Sequence, residues 1–192
     1  YMSLPREVLC GLCPIEAVEA PILMSASCVA APERDLEQLA KLLSRAERPL
    51  IIAQRGAGTQ DGFAALARLA KDWTLPVCQY WAGALAISYD HPSCVGSDVE
   101  PWLSEADVVL IVDGLAPWSP EIHGPKASAT VVNLGPDPLH QRFPVRNFRS
   151  DLSITGETAD ALVRLETTMR PALAGREEAL ATRRGWLDER VT

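Results

Sequence analysis

The stretch Arg55-Gly56-Ala57-Gly58-Thr59-Gln60-Asp61-Gly62 sets three glycines where an apolar run gives way to a helical pattern. Such a turn can offer main-chain N–H groups to a phosphate, because the first turn of a helix leaves its amides unpaired and its dipole favours an anion. The spacing tests that chemistry. These glycines run G-x-G-x-x-x-G, whereas a dinucleotide turn needs G-x-G-x-x-G, its last glycine letting the helix press on the strand. The carboxylate that would hold a ribose about 20 residues on is also missing, since the next strand candidate ends at Tyr80-Trp81. A P-loop would need Gly-Lys-Ser/Thr, which is absent. Two readings survive: a weak anion site at Gly56, Ala57 and Gly58, or a corner whose glycines only supply backbone angles that other residues avoid. The corner is preferred.

Other groups that could do chemistry are scattered. Asp113-Gly114 invites comparison with a magnesium-binding Gly-Asp-Gly followed downstream by Asn-Asn, but Val112 replaces the first glycine and Asn133 stands alone within a strand. No metal ligand is assigned, and Asp113 is read as ending its strand in a turn. His91, His123 and His140 each lie beside loop signals, without a marked Ser or Cys nucleophile and without metal spacing; they are read as polar surface. Cys10-Gly-Leu-Cys13 has zinc or redox spacing but lacks a second pair. No catalytic residue is assigned. Trp81 and Trp118 follow strands at the edge where α/β sheets bind ligands, so they suit a pocket, an interface or a core; Trp81 joins Gly56, Ala57 and Gly58 as a nucleotide-site candidate.

The elements that must position these residues follow from periodicity. Leu36, Leu39, Ala40, Leu42 and Leu43 share one face of a helix over 33–48, closed by Pro49. LIIA at 50–53 is a short, wholly apolar run, suited to a parallel strand buried on both faces. A second helix from Asp61 carries Phe63, Leu66, Ala67 and Ala70 on one side. Further strands are expected at 76–80, 107–114, 129–135 and 151–155, then a helix over 158–169. Strands alternating with helices imply a three-layer α/β domain, Rossmann-like, with a mostly parallel sheet of about 5–6 strands. Residues 1–9 read as a strand end and an extended segment stopped by Pro5, and 10–32 as a linker. The tail after Pro171 reads as an exit helix with Leu180 and Trp186 as anchors.

Composition sets bounds. The 192 residues suit one domain of ordinary globular make-up, with 47% hydrophobic and 22% charged residues. Against 25 acidic residues stand 18 basic ones, a net charge of -7 without a basic stripe, which disfavours nucleic acid. Basic pairs such as Arg183-Arg184 are read as solvated helix faces. Five cysteines without a regular framework point to a reducing cytoplasm, with Cys78 a small core residue. No run reaches the length of a membrane span. Tyr1 precedes Met2, so the chain is read as a piece of something longer.

Several stretches in order resemble one family. YMSLPREVL is similar to the segment closing the first domain of thiamine-diphosphate-dependent enzymes of the acetolactate synthase type. ERPLIIAQRGAG resembles the first strand and turn of their middle domain, and LPVCQYWAGALAISYDHPSCVG the next strand with its downstream turn. ADVVLIVDGLAPWSP, TVVNLGPDP and DLSITGE follow as the remaining strands. The resemblance covers residues 1 to about 170 and lies in the ordered set, not in any single motif. It implies a division into 1–32, the tail of a preceding domain with a linker; 33–170, the central domain; and 171–192, a helix leading towards a third domain. It also implies a parent enzyme, transferase or lyase, that makes or breaks a carbon–carbon bond on a 2-oxo acid. Thiamine diphosphate and magnesium would be held by first and third domains across a subunit interface of a homo-oligomer. This chain would then be a non-catalytic scaffold. Relatives hold FAD or ADP in the middle domain; the places of the FAD contacts read Val95-Gly96-Ser97-Asp98, Leu115-Ala116-Pro117-Trp118 and Asn133-Leu134-Gly135 here, which implies an empty or repurposed cleft. A stand-alone FAD- or ADP-binding module is the alternative.

Overall fold

A computed structural model describes residues 3, 5–12, 22 and 27–191. Five short apolar segments pair side by side in one parallel sheet: β1 (Pro49–Ala53), β2 (Val77–Cys78), β3 (Val108–Val112), β4 (Thr130–Gly135) and β5 (Leu152–Thr155), in the order β2-β1-β3-β4-β5. Ile51 pairs with Val77 and Leu110, and Leu110 in turn with Val132. β1 and β3 are buried at all five positions, as expected of central strands covered on both faces.

Side chains alternate across the sheet. Ile51, Leu110, Val132 and Ile154 face a core shared with α2 (Glu33–Arg45), α3 (Gln60–Trp73) and α5 (Thr158–Met169). Leu50, Ile52, Val109, Ile111 and Val131 face the other way, towards Trp102 on α4 (Glu100–Leu103), Trp118, and Trp186 and Leu187 on α6 (Glu177–Val191). Each fully buried Leu or Ile contributes roughly 1.5–3 kcal/mol relative to exposure, so these two layers account for most of the drive to fold. α3 is stopped by Thr74, in a left-handed conformation (φ 49°), whose N–H returns to the Ala70 carbonyl.

The strands share their direction, so the sheet has two unlike ends. At the amino end the Asp107 carboxylate accepts the Glu47 and Arg48 amides at 2.7 and 3.0 Å and fixes the start of β1 beside β3. α6 lies across this end. At the carboxyl end the turns after β1, β2, β3 and β4 come together.

Four expectations change. Arg6–Leu9 forms one helical turn (α1) in place of an extended segment, since Pro5 supplies its carbonyl to the Leu9 amide; Tyr1, Met2 and Leu4 lie outside the described residues, as does Cys13. The strand expected over 76–80 is two residues long, because the Gln79 amide turns to the Gly96 carbonyl and its side chain to Ala86. Arg183 is not on a solvated face: it is 1% exposed, while its neighbour Arg184 is exposed. His140 is likewise buried, not surface, with Nε2 3.1 Å from the Gly114 carbonyl oxygen.

Candidate functional site

In an open parallel sheet the order of connection reverses where two neighbouring strands send their chains to opposite sides, and ligands bind in the crevice there. Here that point lies between β1 and β3, at the carboxyl end. Gln54 and Arg55 leave β1; Asp113 and Gly114 leave β3. The Gln54 side chain, 6% exposed, occupies the crevice floor. Its Nε2 donates to the Tyr80 and Ala116 carbonyls at 2.9 and 2.8 Å, and its Oε1 accepts the Ala116 amide at 3.0 Å. One side chain thus ties together the turns after β1, β2 and β3, using its hydrogen-bonding groups on protein.

Around that floor the backbone is held in uncommon conformations. Asp113 has φ 43° and Trp81 φ 49°, in the left-handed region that non-glycine residues seldom enter. Arg55 reaches Asp113 at 3.6 Å across the switch point. Arg146, from the loop after β4, lies over the crevice beside β3. Its Nη2 donates to the Gly114 carbonyl at 3.2 Å and to Asn133 Oδ1 at 3.3 Å, and its guanidinium sits 5.3 Å from the Phe148 ring centre. Burial lowers the Arg146 pKa below the ordinary arginine value, with Asp137 acting in the opposite sense. Neither Gln54 nor Arg146 is marked by its sequence context, and His140 reads there as surface; their positions after β1 and β4 are the one available signal.

Of the expected nucleotide-site residues, Gly56, Ala57 and Gly58 line one hollow and Trp81 lines a second beside it. Gly56 (φ 79°) and Gly58 (φ 81°) do adopt glycine-favouring angles. A Cβ on Gly56 would stand 3.1 Å from the Leu85 carbonyl oxygen, and one on Gly58 3.1 Å from the Ala159 amide of α5. At Gly62 it would meet the Ala57 carbonyl oxygen at 2.1 Å. All three glycines are pressed against protein on their side-chain faces. Thr59 caps α3, its hydroxyl accepting the Gly62 amide at 3.3 Å, and Asp61 adds a negative charge to the first turn. Both features occupy or oppose what an anion would use.

Two shallow hollows share Arg55 as a wall. One, about 270 Å³, runs along the turn from Gly56 to Thr59 and is bounded by Phe63, Ala84 and Leu85. The other, about 250 Å³, lies between Gln54, Trp81 and Ala116. Each falls below the roughly 300–1,000 Å³ usual for a cofactor pocket. Trp81 is 75% exposed and stacks on Tyr80, ring centres 5.4 Å apart and planes within 5°. Trp118 and Trp102 belong to the core. Among the described residues no three of His, Cys, Asp or Glu come together as a metal site, and no helix is long and apolar enough to cross a membrane. Cys78 is buried, and burial pushes its thiol up to about 12.

No curated protein matches the chain in sequence. Among the solved structures that share its fold are three of whose length the chain covers about 30%. One, from Mycobacterium smegmatis and provisionally assigned as a thiamin diphosphate-dependent enzyme, is 21% identical, with a TM-score of 0.62 over 78% of this chain and 30% of that one. The benzoylformate decarboxylase of Polynucleobacter necessarius is 15% identical, with a TM-score of 0.62 over 80% of this chain and 30% of its own. The thiamine diphosphate-dependent 4-hydroxybenzoylformate decarboxylase of Rhodococcus jostii RHA1 is 17% identical, with a TM-score of 0.57 over 77% and 29%. The family model for the thiamine pyrophosphate enzyme central domain matches residues 36–165, and the chain belongs to that family.

Proposed function

We propose that this central domain serves a larger thiamine-diphosphate-dependent enzyme of the acetolactate synthase type, a transferase or lyase acting beside the carbonyl of a 2-oxo acid. The observation that carries this reading is the family match over 36–165 on a sheet whose switch point is filled by its own Gln54 and Arg146. Thiamine diphosphate with magnesium, held outside this domain, would supply the carbon–carbon chemistry of the parent. The described residues here do not fit that group: Asp113 is turned to Arg55, and no acidic cluster accompanies it. In this reading the domain's part is scaffolding. It would sit between cofactor-bearing domains within a homo-oligomer in the cytoplasm, with 1–32 and 171–192 as its connections.

The test is the enzyme encoded by the complete reading frame. A downstream Gly-Asp-Gly…Asn-Asn segment, and release of carbon dioxide from pyruvate or benzoylformate only with thiamine diphosphate and magnesium, would support the proposal. A reading frame without such a segment would end it. The 192-residue chain should not bind thiamine diphosphate.

A second reading, a stand-alone FAD- or ADP-binding module, draws on the hollow along Gly56–Thr59 and on the buried Thr158 hydroxyl. That hydroxyl lacks a hydrogen-bond partner and lies one residue from Ala159, which packs on Gly58. Titration with FAD, ADP and NAD, followed by the fluorescence of exposed Trp81, separates the two. Saturation at micromolar FAD or ADP would favour the module.

A further inference from the structure

The direction of α6 is not decided where the helix begins. The chain reaches it through Gly175, at φ 78°, where an added Cβ would meet nothing within 4 Å. A glycine in open space is a free joint. From Gly175 to Thr182 the first turns of α6 stand off the end of α2 across a hollow of about 430 Å³, walled by Arg45, Glu47, Arg176 and Glu178. Half-buried Leu180 touches the core beneath α2, an apolar contact that a helix can slide upon.

The direction is decided further on. Arg183, Trp186, Leu187 and Arg190 recur at i, i+3, i+4 and i+7 and so share one face, while Arg184, Gly185, Asp188 and Glu189 are exposed. The shared face meets three parts of the domain. Arg183 donates to the Ala46 and Trp73 carbonyls at 2.9 and 3.0 Å, where α2 and α3 end. Trp186 stands edge-on to Trp102 of α4, ring centres 5.2 Å apart. Arg190 pairs with Glu105 just after α4, and Glu105 is held in turn by Arg48 at 2.8 Å, beside the start of β1. Arg183 and Arg190 lie two turns apart, about 10 Å along the helix axis. Two hydrogen-bonded anchors at that separation fix the tilt of a rod as well as its place, because hydrogen bonds weaken steeply when their angles change.

We infer that Arg183 and Arg190 are positioning residues: they set the angle at which α6 carries the cofactor-bearing domain that follows it in the parent enzyme, and the joint at Gly175 does not. The inference rests on the central-domain reading above. Both arginines act through the helix and not on the reacting atoms.

The test uses the full-length parent, with nitroxide labels carried on unnatural residues at Lys71 of α3 and Arg184 of α6, both exposed. Pulsed electron paramagnetic resonance reads the distance between them. Arg190→Ala removes the outer anchor without opening the core, and Arg183→Lys weakens the inner one. The unsubstituted parent should give one narrow distance, and each variant a broad distribution while the strands keep their protection from hydrogen exchange. The thiamine diphosphate concentration for half-maximal activity should rise about tenfold in the same variants, with the maximal rate within about twofold, as when binding and not chemistry is impaired. Arg190→Lys, which keeps the pair with Glu105, should restore both readings. A distance that stays narrow, or one that broadens while the cofactor requirement stays put, would overturn the inference and leave the central-domain reading intact. Activity that needs no thiamine diphosphate would end that reading, and it shows in the unsubstituted parent before any variant is made.

Discussion

Arg183 on α6 donates from Nε to the carbonyl oxygen of Ala46, at 2.9 Å, just past the end of α2. The same guanidinium reaches the Leu43, Ser44 and Trp73 carbonyls, so one cation closes the exposed carbonyl ends of both α2 and α3. Helix C-termini carry partial negative charge, which is why a buried cation is tolerated there. Burial still lowers its pKa to about 10. Arg183→Met should cost about 3 kcal/mol, because four buried carbonyls lose their donors. For a chain of this size that lowers the melting temperature by roughly 6–12 °C. Arg183→Lys should recover only part of the loss, since a point charge cannot serve four acceptors in a plane. Circular dichroism melts measure both.

The same helix is fastened by an ion pair whose strength depends on pH. Arg190 donates to Glu105, which also accepts from Arg48 and the Trp186 indole. The hydrogen bond from Arg190 is the main cause that holds the Glu105 pKa below the usual carboxylate value. A depressed carboxylate pKa contributes stability that is complete above the unfolded value of about 4.5 and is lost as pH falls through the folded one. Glu105→Gln should therefore lower stability at pH 7 by up to about 1 kcal/mol, the range of a solvent-screened pair. The difference from the parent chain should shrink below pH 4. Urea denaturation at pH 7, 4.5 and 3.5 checks the sign.

Ile51, Leu110 and Val132 were legible as strand residues because burial on both faces leaves an unbroken apolar run, and the faces of α2 and α5 because their leucines recur every three or four residues. Arg183 was not. A buried arginine looks like a surface arginine in sequence, since the carbonyls that receive it lie about 110–140 residues away and belong to main chain, which carries no signature. Gln54 and Arg146 carry no mark in the sequence, and His140 reads there as surface, for the same reason: each acts on backbone oxygens of loops after other strands. The candidate site was legible as a place, the end of β1, and illegible as an arrangement.

Gln54 gives a third prediction. Its amide spans the turns after β2 and β3, with both ends satisfied by Tyr80 and Ala116. Gln54→Leu keeps the volume and removes the bonds, leaving buried carbonyl and amide groups unpaired, at a cost of about 2–3 kcal/mol. Amide hydrogen exchange should rise at residues 80–84 and 114–117 while the strands stay protected. Gln54→Glu should be worse near neutral pH, because a carboxylate cannot donate to either carbonyl.

The three glycines of the turn separate a cofactor cradle from a structural corner. At Gly62 an added Cβ would lie 2.1 Å from the Ala57 carbonyl oxygen and 2.9 Å from Ala159 Cα, both backbone atoms that cannot swing away. Gly62→Ala should thus cost at least about 3 kcal/mol, the scale of a forced core overlap. At Gly58 the neighbours stand 3.1–3.2 Å away and φ is 81°, so Gly58→Ala combines a mild overlap with backbone strain of about 1–2 kcal/mol. A phosphate cradle would predict another pattern: Gly58→Ala would abolish FAD or ADP binding while stability barely moved. Measuring urea midpoints together with nucleotide titrations on both variants decides between them. Loss of stability ordered Gly62→Ala above Gly58→Ala, with no nucleotide response in the unsubstituted chain, is the outcome expected of a corner. Gly58 and Gly62 leave the room in which α3 lies against Ala159 of α5.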